Sequence, residues 1–290
     1  MTGEPPFALF VRGTHEQAFD ISDQLGFDMD MQALAVSVFE DGENSMHVQA
    51  LYTTEAEAEA AQASLDLTGL EHFITQLPDE DWVAKSQAGL PPVQAGPFFV
   101  YGEHDKDNIP DEIAYPIQID AGIAFGTGHH GTTMGCLLAF ETYRHSISPE
   151  NILDLGTGAG ILAIAAAKAV NSRILATDID PDAVMVTRQN AALNGVADRI
   201  VAETADGFGS SVIREAAPFD LIFANILAGP LIGLAPEISQ ALQAGGTVIL
   251  SGILNEQADT LIKIYEEQGL SLQNKDQLAG WTTLTMVKPQ

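Results

Sequence analysis

The sequence predicts an α/β protein in which a doubly wound parallel sheet follows a smaller α+β domain. From position 152 onward, apolar runs of strand length alternate with helical stretches. A glycine-rich turn at residues 154–160 joins one such run to an alanine-rich helix. The first 75 residues differ, because their periodicity predicts the order β-α-β-β-α. A chain of 290 residues has room for both domains.

The small domain is assigned to residues 1–75. Its apolar residues follow strand or helix periodicity in five stretches. These are strands at 7–12, 33–39 and 46–52 and helices near 16–25 and 55–65. Their order is compatible with a ferredoxin-like module. Residues 76–97 are predicted to be a linker, since the segment 78–97 carries four prolines.

The large domain is assigned to residues 98–290. Its strands are predicted at 152–155, 173–178, 199–203, 219–224 and 247–251, and its helices at 161–170, 181–194, 230–242 and 256–268. Segments 271–274 and 281–288 are candidates for a last pair of strands. Because parallel strands end at one edge of a sheet, we expect a ligand to bind at that edge.

The turn D-L-G-T-G-A-G at residues 154–160 is the strongest candidate site. Gly156, Gly158 and Gly160 leave no Cβ in the way of a ligand, and the helix start offers N–H groups to an anion. Asp178 ends the next predicted strand, where a carboxylate can accept both hydroxyls of a ribose. The turn therefore predicts a nucleoside site. The alternative is an ordinary turn of some other α/β protein.

The spacing of the glycines separates two kinds of nucleoside. A dinucleotide site of the form G-x-G-x-x-G needs a third glycine at position 161, where this chain has Ile161. The observed form is G-x-G-x-G, which resembles that of class I S-adenosylmethionine-dependent methyltransferases. Asp178 has a second interpretation as a helix cap before Pro181, although Asp180 is better placed to cap.

Four segments carry a resemblance to one family. They read A-F-G-T-G-H-H-G-T-T at 124–133, D-I-D-P at 178–181, A-N-I-L-A-G-P-L at 224–231 and S-G-I-L at 251–254. Together they resemble the methyltransferases of bacterial ribosomal protein eleven of the large subunit. The resemblance is close from about Asp81 to the end and holds only in pattern over the first 75 residues. The commoner first motif is G-T-G-T-H-P-T-T, so His129 and Gly131 are departures.

The resemblance implies a seven-stranded Rossmann-like sheet with an antiparallel last strand, S-adenosylmethionine as methyl donor and no metal. It also implies a lid over the methionine end of the cofactor at residues 125–127, and a place for Asp154 near the methionine amino group. The predicted cofactor-binding residues are Phe125, Gly126, Thr127, Thr133, Asp154, Gly156, Gly158, Asp178 and Asn225. The alternatives are helix capping for Thr133 and a strand-end acid held by backbone amides for Asp154.

Asn225 is the candidate catalytic residue, because it ends the predicted strand beside the transferred methyl. Many amine and amide methyltransferases have an Asn or Asp there, and its oxygen accepts the hydrogens of the amine. Those enzymes continue with Pro-Pro and an aromatic residue, whereas this chain continues with Ile226 and Leu227. This difference argues against release-factor glutamine and DNA adenine methyltransferases. The alternative is that Asn225 caps a helix beginning near Gly229.

The predicted reaction is methylation of amines on a protein. The resemblance implies transfer to lysine side chains and to the N-terminal amine of large-subunit ribosomal protein eleven, which the small domain binds. A nucleic-acid methyltransferase and a cofactor-binding protein without turnover are the other hypotheses. Ile161 disfavours a nicotinamide-dependent dehydrogenase.

The composition favours a basic protein partner over a nucleic acid. Twelve Lys and Arg stand against 40 Asp and Glu, which is a formal net charge of −28 at pH 7. Such a surface repels polyphosphate and attracts a basic partner. We therefore expect a substrate that is free of rRNA, and we also expect a monomer. The alternative is that the acidity serves only solubility.

No segment is predicted to span a membrane or to direct secretion. The most apolar run, 221–235, contains Asn225 and Pro230, and the first residues lack a basic start. The single cysteine, Cys136, fits a reducing cytoplasm and is predicted to be a small buried residue. His129 and His130 are adjacent and lack the spacing of a metal site. We expect a cytoplasmic protein.

Overall fold

The structure is a computed structural model that describes residues 6–14, 17–18, 21–22, 24–25, 33, 35–40, 45–77, 92–119, 130–146 and 148–290. The chain divides into two compact units, Met1–Lys85 and Ser86–Gln290. The first unit contains a four-stranded sheet, and the second contains sheets of seven and three strands.

The four strands of the first unit are antiparallel and lie in the order β2-β3-β1-β4. The elements are β1 (Phe7–Gly13), β2 (Ala35–Glu40), β3 (Met46–Tyr52), helix α1 (Glu55–Ser64) and β4 (Glu71–Gln76). Helical backbone also occurs at residues 17–18, 21–22 and 24–25. The hydroxyl of Thr54 accepts a hydrogen bond from the Glu57 amide and caps α1, which confirms the predicted helix. The arrangement is compatible with a ferredoxin-like module.

The sheet of the first unit has one buried face and one more exposed face. Along β3, every second residue from Met46 to Tyr52 is buried, as expected of a strand with one face on a core. On the other face, the rings of Phe10 and Phe73 stack with centroids 5.0 Å apart. Phe73 is 51% exposed. Apolar side chains of this unit are therefore presented to solvent.

The second unit is built on a seven-stranded sheet with the order β10-β9-β8-β11-β12-β14-β13. The strands are β8 (Asn151–Leu155), β9 (Arg173–Asp178), β10 (Ile200–Thr204), β11 (Phe219–Asn225), β12 (Leu242–Leu254), β13 (Ser271–Leu278) and β14 (Trp281–Val287). The first five in spatial order pair in parallel, and β14 is antiparallel to both of its neighbours. The predicted antiparallel last strand is confirmed.

A separate three-stranded sheet precedes the large one. It consists of β5 (Val93–Ala95), β6 (Phe98–Tyr101) and β7 (Tyr115–Gln118). The strand β5 lies inside the segment 76–97 that the sequence assigns to a linker, and residues 78–91 of that segment lie outside the described residues.

Helices cover both faces of the large sheet. They are α2 (His130–Ser146), α3 (Ile161–Ala169), α4 (Pro181–Leu193), α5 (Ser211–Ala216), α6 (Ala228–Ala241) and α7 (Ala258–Glu267). Neighbouring residues of β8 pack into different hydrophobic cores. Ile152 packs in the core that contains α3, and Leu153 packs in the core that contains α6. A strand that is buried on both faces has a continuous apolar sequence, so such strands can be predicted from the sequence. The predicted doubly wound fold is confirmed.

Helix α2 carries the single cysteine of the chain. Cys136 is fully buried, as predicted, and burial raises the pKa of its thiol to about 12. Neither α2 nor another helix in the described ranges is long and apolar enough to cross a membrane.

Candidate active site

Polar side chains lie at the carboxyl ends of the two strands that flank β8. Leu155 of β8 pairs with Thr177 of β9 on one side and with Ala224 of β11 on the other. Asp178 and Asn225 are the next residues of β9 and β11. These two side chains therefore lie at one edge of the sheet, on the strands that flank the glycine turn.

The glycine turn between β8 and α3 has a backbone that only glycine adopts readily. The angle φ is +72° at Gly156, +55° at Gly158 and +85° at Gly160. The amides of Gly156 and Thr157 both donate to the carbonyl oxygen of Thr177, at 2.8 and 2.9 Å. The turn is thus tied to the end of β9, beside Asp178.

The carboxylate of Asp178 is held by two backbone amides. Its Oδ2 accepts from the Gly158 amide at 2.9 Å, and its Oδ1 accepts from the Asp180 amide at 3.0 Å. Helix α4 is capped by Asp180, whose side chain accepts from the Asp182 amide at 2.8 Å. The carboxylate that bonds to the turn is therefore distinct from the one that caps the helix.

Asp154 stabilises the glycine turn from its buried side. It is 1% exposed, and its Oδ2 accepts from the Thr157 hydroxyl at 2.7 Å and from the Ala163 amide at 3.0 Å. Burial raises the pKa of this carboxyl to about 6, although the two hydrogen bonds act in the opposite direction. Asp154 is therefore a buried acid with a proton equilibrium close to neutral pH.

Helix α4 braces the turn through two side chains that the sequence motifs do not identify. The hydroxyl of Thr187 donates to the carbonyl oxygen of Gly158, and the Asn190 amide group donates to that of Ala159, both at 2.8 Å. Thr187 and Asn190 are buried. Polar residues three apart on an otherwise apolar helix face were the available signal.

Asn225 ends β11 and is partly exposed. Within the described part of the chain its side chain makes no hydrogen bond. The N-cap of the following helix α6 is Leu227, without a side-chain cap bond. The helix-cap alternative for Asn225 is therefore wrong.

Thr133 lies in the first turn of α2 and is partly buried. Gly131 packs closely on the hairpin between β13 and β14, because a Cβ there would lie 3.0 Å from the carbonyl oxygen of Leu278 and 3.1 Å from the Trp281 ring. The predicted lid residues Phe125, Gly126 and Thr127, and also His129, lie outside the described residues.

Two residues at this edge were also missed. Ile179 lies between two acids and is 67% exposed, more than the other exposed large apolar side chains of the described residues. Asp206 follows β10, and the preceding Ala205 amide donates to the carbonyl oxygen of Asp178 at 2.8 Å. Ile179 and Asp206 are therefore further candidates for contacts to a nucleoside base. An apolar residue directly after a strand-end acid was the signal for Ile179.

The seven-stranded sheet with antiparallel β14, and the glycine turn tied to a strand-end acid, are the architecture of a class I methyltransferase. The chain matches, over residues 14–289, the family model described as "Ribosomal protein L11 methyltransferase (PrmA)". The chain belongs to this family, which confirms the resemblance, and it is a methyltransferase.

Individual relatives agree with the family model. The ribosomal protein L11 methyltransferase of Brucella suis (strain ATCC 23445 / NCTC 10510) is 49% identical over 271 residues, which cover 93% of this chain and 94% of that protein. The Rhodopseudomonas palustris (strain BisB5) protein of the same name is 42% identical over 287 residues, 97% of each chain. The crystal structure of a ribosomal protein L11 methylase from Lactobacillus delbrueckii subsp. bulgaricus is similar with a TM-score of 0.62 and 32% identity, covering 69% of this chain and 100% of that one.

Proposed function

We propose that this protein transfers methyl groups from S-adenosylmethionine to lysine side-chain and N-terminal amines of ribosomal protein L11. The observation that carries the proposal is the carboxylate of Asp178, which accepts from the Gly158 amide beside a turn of left-handed glycines. Asn225 ends a strand at the same edge of the sheet. Membership of the family supports the choice of substrate.

Asp178 has the capacity to hold a ribose. A carboxylate offers about four lone-pair sites, and the amides of Gly158 and Asp180 use one on each oxygen. One lone-pair site is left on each oxygen, so each of the two ribose hydroxyls can donate to a different oxygen. Gly158 has no side chain to obstruct the approach, whereas the space beside Gly156 is filled by the Cγ2 methyl of Ile226. The open position at Gly158 and the free acceptor sites of Asp178 fit an adenosyl group.

The other cofactor contacts follow if Asp178 holds the ribose. Ile179 would pack against the adenine, and Asp206 would accept from its amino group. Thr133, Asp154 and residues 125–127 would lie at the methionine end. When bound, S-adenosylmethionine supplies a methyl group activated by the positive charge on its sulfur.

The attacking group must be a neutral amine. A lysine of pKa about 10.4 pays roughly 4.6 kcal/mol for deprotonation at pH 7, so the site has to desolvate the ammonium group or pass its proton to water. The side-chain oxygen of Asn225 would accept an amine N–H and orient the lone pair of the nitrogen. Orientation accounts for much of the rate enhancement in such a displacement.

The pKa of Asp154 predicts a pH dependence of cofactor binding. Its carboxyl is protonated below about pH 6, because burial favours the neutral form. The ammonium group of a methionine moiety prefers the carboxylate, so S-adenosylmethionine should bind about tenfold more weakly at pH 5 than at pH 7. Calorimetric titrations between pH 5 and pH 7.5 measure this change.

Two controls isolate Asp154. In Asp154→Asn the group no longer titrates, so the pH dependence should disappear. Methylthioadenosine lacks the ammonium group and should bind the unaltered protein equally at both pH values. An equal pH dependence in Asp154→Asn and in the unaltered protein would exclude Asp154 as the partner of the amino group.

The net charge of −28 supports free ribosomal protein L11 as the substrate form. An acidic enzyme is repelled by the rRNA of an assembled subunit. Radiolabelled methyl groups should enter purified L11 at least about tenfold faster than L11 in large ribosomal subunits, and should not enter naked rRNA. Equal labelling of the two protein forms would contradict the rRNA-free substrate, and label in rRNA would favour a nucleic-acid methyltransferase.

We further propose that residues 1–75 bind the protein substrate. The exposed sheet face of this unit carries a cavity of about 170 Å³ lined by Phe10, Arg12, His47, Glu71 and Phe73. Aromatic rings beside a charged pair, here Arg12 and Glu71 at 3.0 Å, are typical of protein-binding surfaces. We also propose that the protein is a monomer and that it acts in the cytoplasm.

A further inference from the structure

Ile226, the residue that follows Asn225, lies directly against the glycine turn. A Cβ built on Gly156 would be 2.3 Å from the Cγ2 methyl of Ile226. No real Cβ fits at that distance, so this methyl occupies the space that the missing side chain of Gly156 leaves open. The φ of Gly156 is also +72°. Both the missing Cβ and the left-handed backbone therefore require glycine at this position.

The backbone of Ile226 has a second glycine on its other side. Gly252 of β12 has a φ of +80°, and a Cβ there would lie 2.3 Å from the carbonyl oxygen of Ile226 and 2.8 Å from its carbonyl carbon. The side chain of Ile226 therefore rests on one left-handed glycine, and its main chain rests on another.

The register of the strands explains this position. Asn225 pairs with Ser251 of β12 and is the last paired residue of β11. Ile226 is thus the first residue beyond the ladder, with the turn after β8 on one side and Gly252 on the other. Its side chain also packs, partly buried, against the core that contains α6. These packing contacts hold the apolar side chain of Ile226 in place.

We propose that Ile226 is a positioning residue, which fixes the distance between Asn225 and the glycine turn and so aligns the amine with the methyl group. The inference rests on the proposed function. A β-branched side chain is stiff about its first torsion, so the Cγ2 methyl is a fixed spacer. Displacements of about 1 Å at a reacting centre can lower a rate about 100-fold.

The test compares two substitutions of similar size in the full-length protein. Ile226→Val keeps the branch that contacts Gly156, whereas Ile226→Leu keeps the number of carbons and moves the branch by one atom. Single-turnover transfer to L11 at saturating S-adenosylmethionine should fall about 10- to 100-fold in Ile226→Leu and stay within about threefold in Ile226→Val. The cofactor Kd should change less than about threefold in both, since the amides and Asp178 are untouched.

A matched control is Ile264→Leu, the same change in a partly buried residue of the same core on α7. Its rate per folded molecule should be that of the unaltered protein. If Ile226 acts through Asn225, the double variant Ile226→Leu/Asn225→Ala should be no slower than Asn225→Ala alone.

Three results overturn the inference: a normal rate in Ile226→Leu, losses that multiply in the double variant, or cofactor affinity that falls as much as the rate. Failure of the unaltered protein to methylate L11 would instead refute the proposed function. A slow Ile226→Leu with an intact Kd, a near-normal Ile226→Val and a non-additive double variant support the positioning role.

Discussion

Asp178→Ala is expected to weaken the binding of S-adenosylmethionine about 30- to 150-fold, on the order of 2 to 3 kcal/mol. Two losses contribute. The ribose hydroxyls lose a charged acceptor, and the Gly158 amide, now 2.9 Å from that acceptor, is left without its partner. Isothermal calorimetry with S-adenosylmethionine and S-adenosylhomocysteine measures the change, and NAD should not bind to either form.

Asp180→Ala is the matched control, because Asp180 is an acid two residues away with a different partner. Its side chain caps α4 through the Asp182 amide, so its loss should cost about 1 kcal/mol of stability and leave cofactor affinity nearly unchanged. Unchanged affinity in Asp178→Ala would refute the ribose assignment. The same would follow if both variants lost affinity equally.

The parallel part of the large sheet could be predicted because burial on both faces leaves a local signal. The apolar run at residues 173–178 predicts a strand, and β9 spans the same residues. The glycine turn was equally visible, because three left-handed residues in a row of five demand glycine. Asp180 as the cap of α4 followed from the proline that comes after it.

Pairings with distant residues had no such signal. The predicted strand 247–251 is the part of β12 that pairs continuously with β11, and Leu242 adds one pair with Phe219 across a register shift. The strand continues to Leu254 because it pairs antiparallel with β14 across a bulge, where Leu254 meets Trp281. The strand β4 leaves no apolar alternation in the sequence, because nearly all of its residues are exposed.

The contacts that shape the site are also non-local. The sequence identifies Gly156 as a residue of the turn, but it does not reveal that the methyl of Ile226, 70 positions later, occupies the space beside it. The bracing of the turn by Thr187 and Asn190 likewise depends on how α4 lies on the sheet. Local patterns predict the turn that we propose binds the cofactor, and tertiary packing determines what holds the backbone of that turn in place.

Asn225→Ala is expected to lower the methyl-transfer rate about 10- to 1000-fold, the range for losing one positioned polar contact at a reacting centre. Its thermal melt should stay nearly normal. The Asn225 side chain makes no hydrogen bond within the described residues, and α6 is capped at Leu227 instead. Single-turnover labelling of L11 at saturating cofactor, beside a melt of the same variant, measures both quantities.

Asn255→Ala supplies the opposite case, because the Asn255 side-chain oxygen accepts from the Thr282 hydroxyl at 2.8 Å and so ties the end of β12 to β14. That variant should melt at a lower temperature and keep its rate per folded molecule, since a lost hydrogen bond costs about 1 kcal/mol of stability. If Asn225→Ala behaves like Asn255→Ala, then Asn225 is structural and the amine is oriented by another group. A slow rate with a normal melt assigns the orientation of the amine to the Asn225 oxygen, because the variant then loses rate without losing stability.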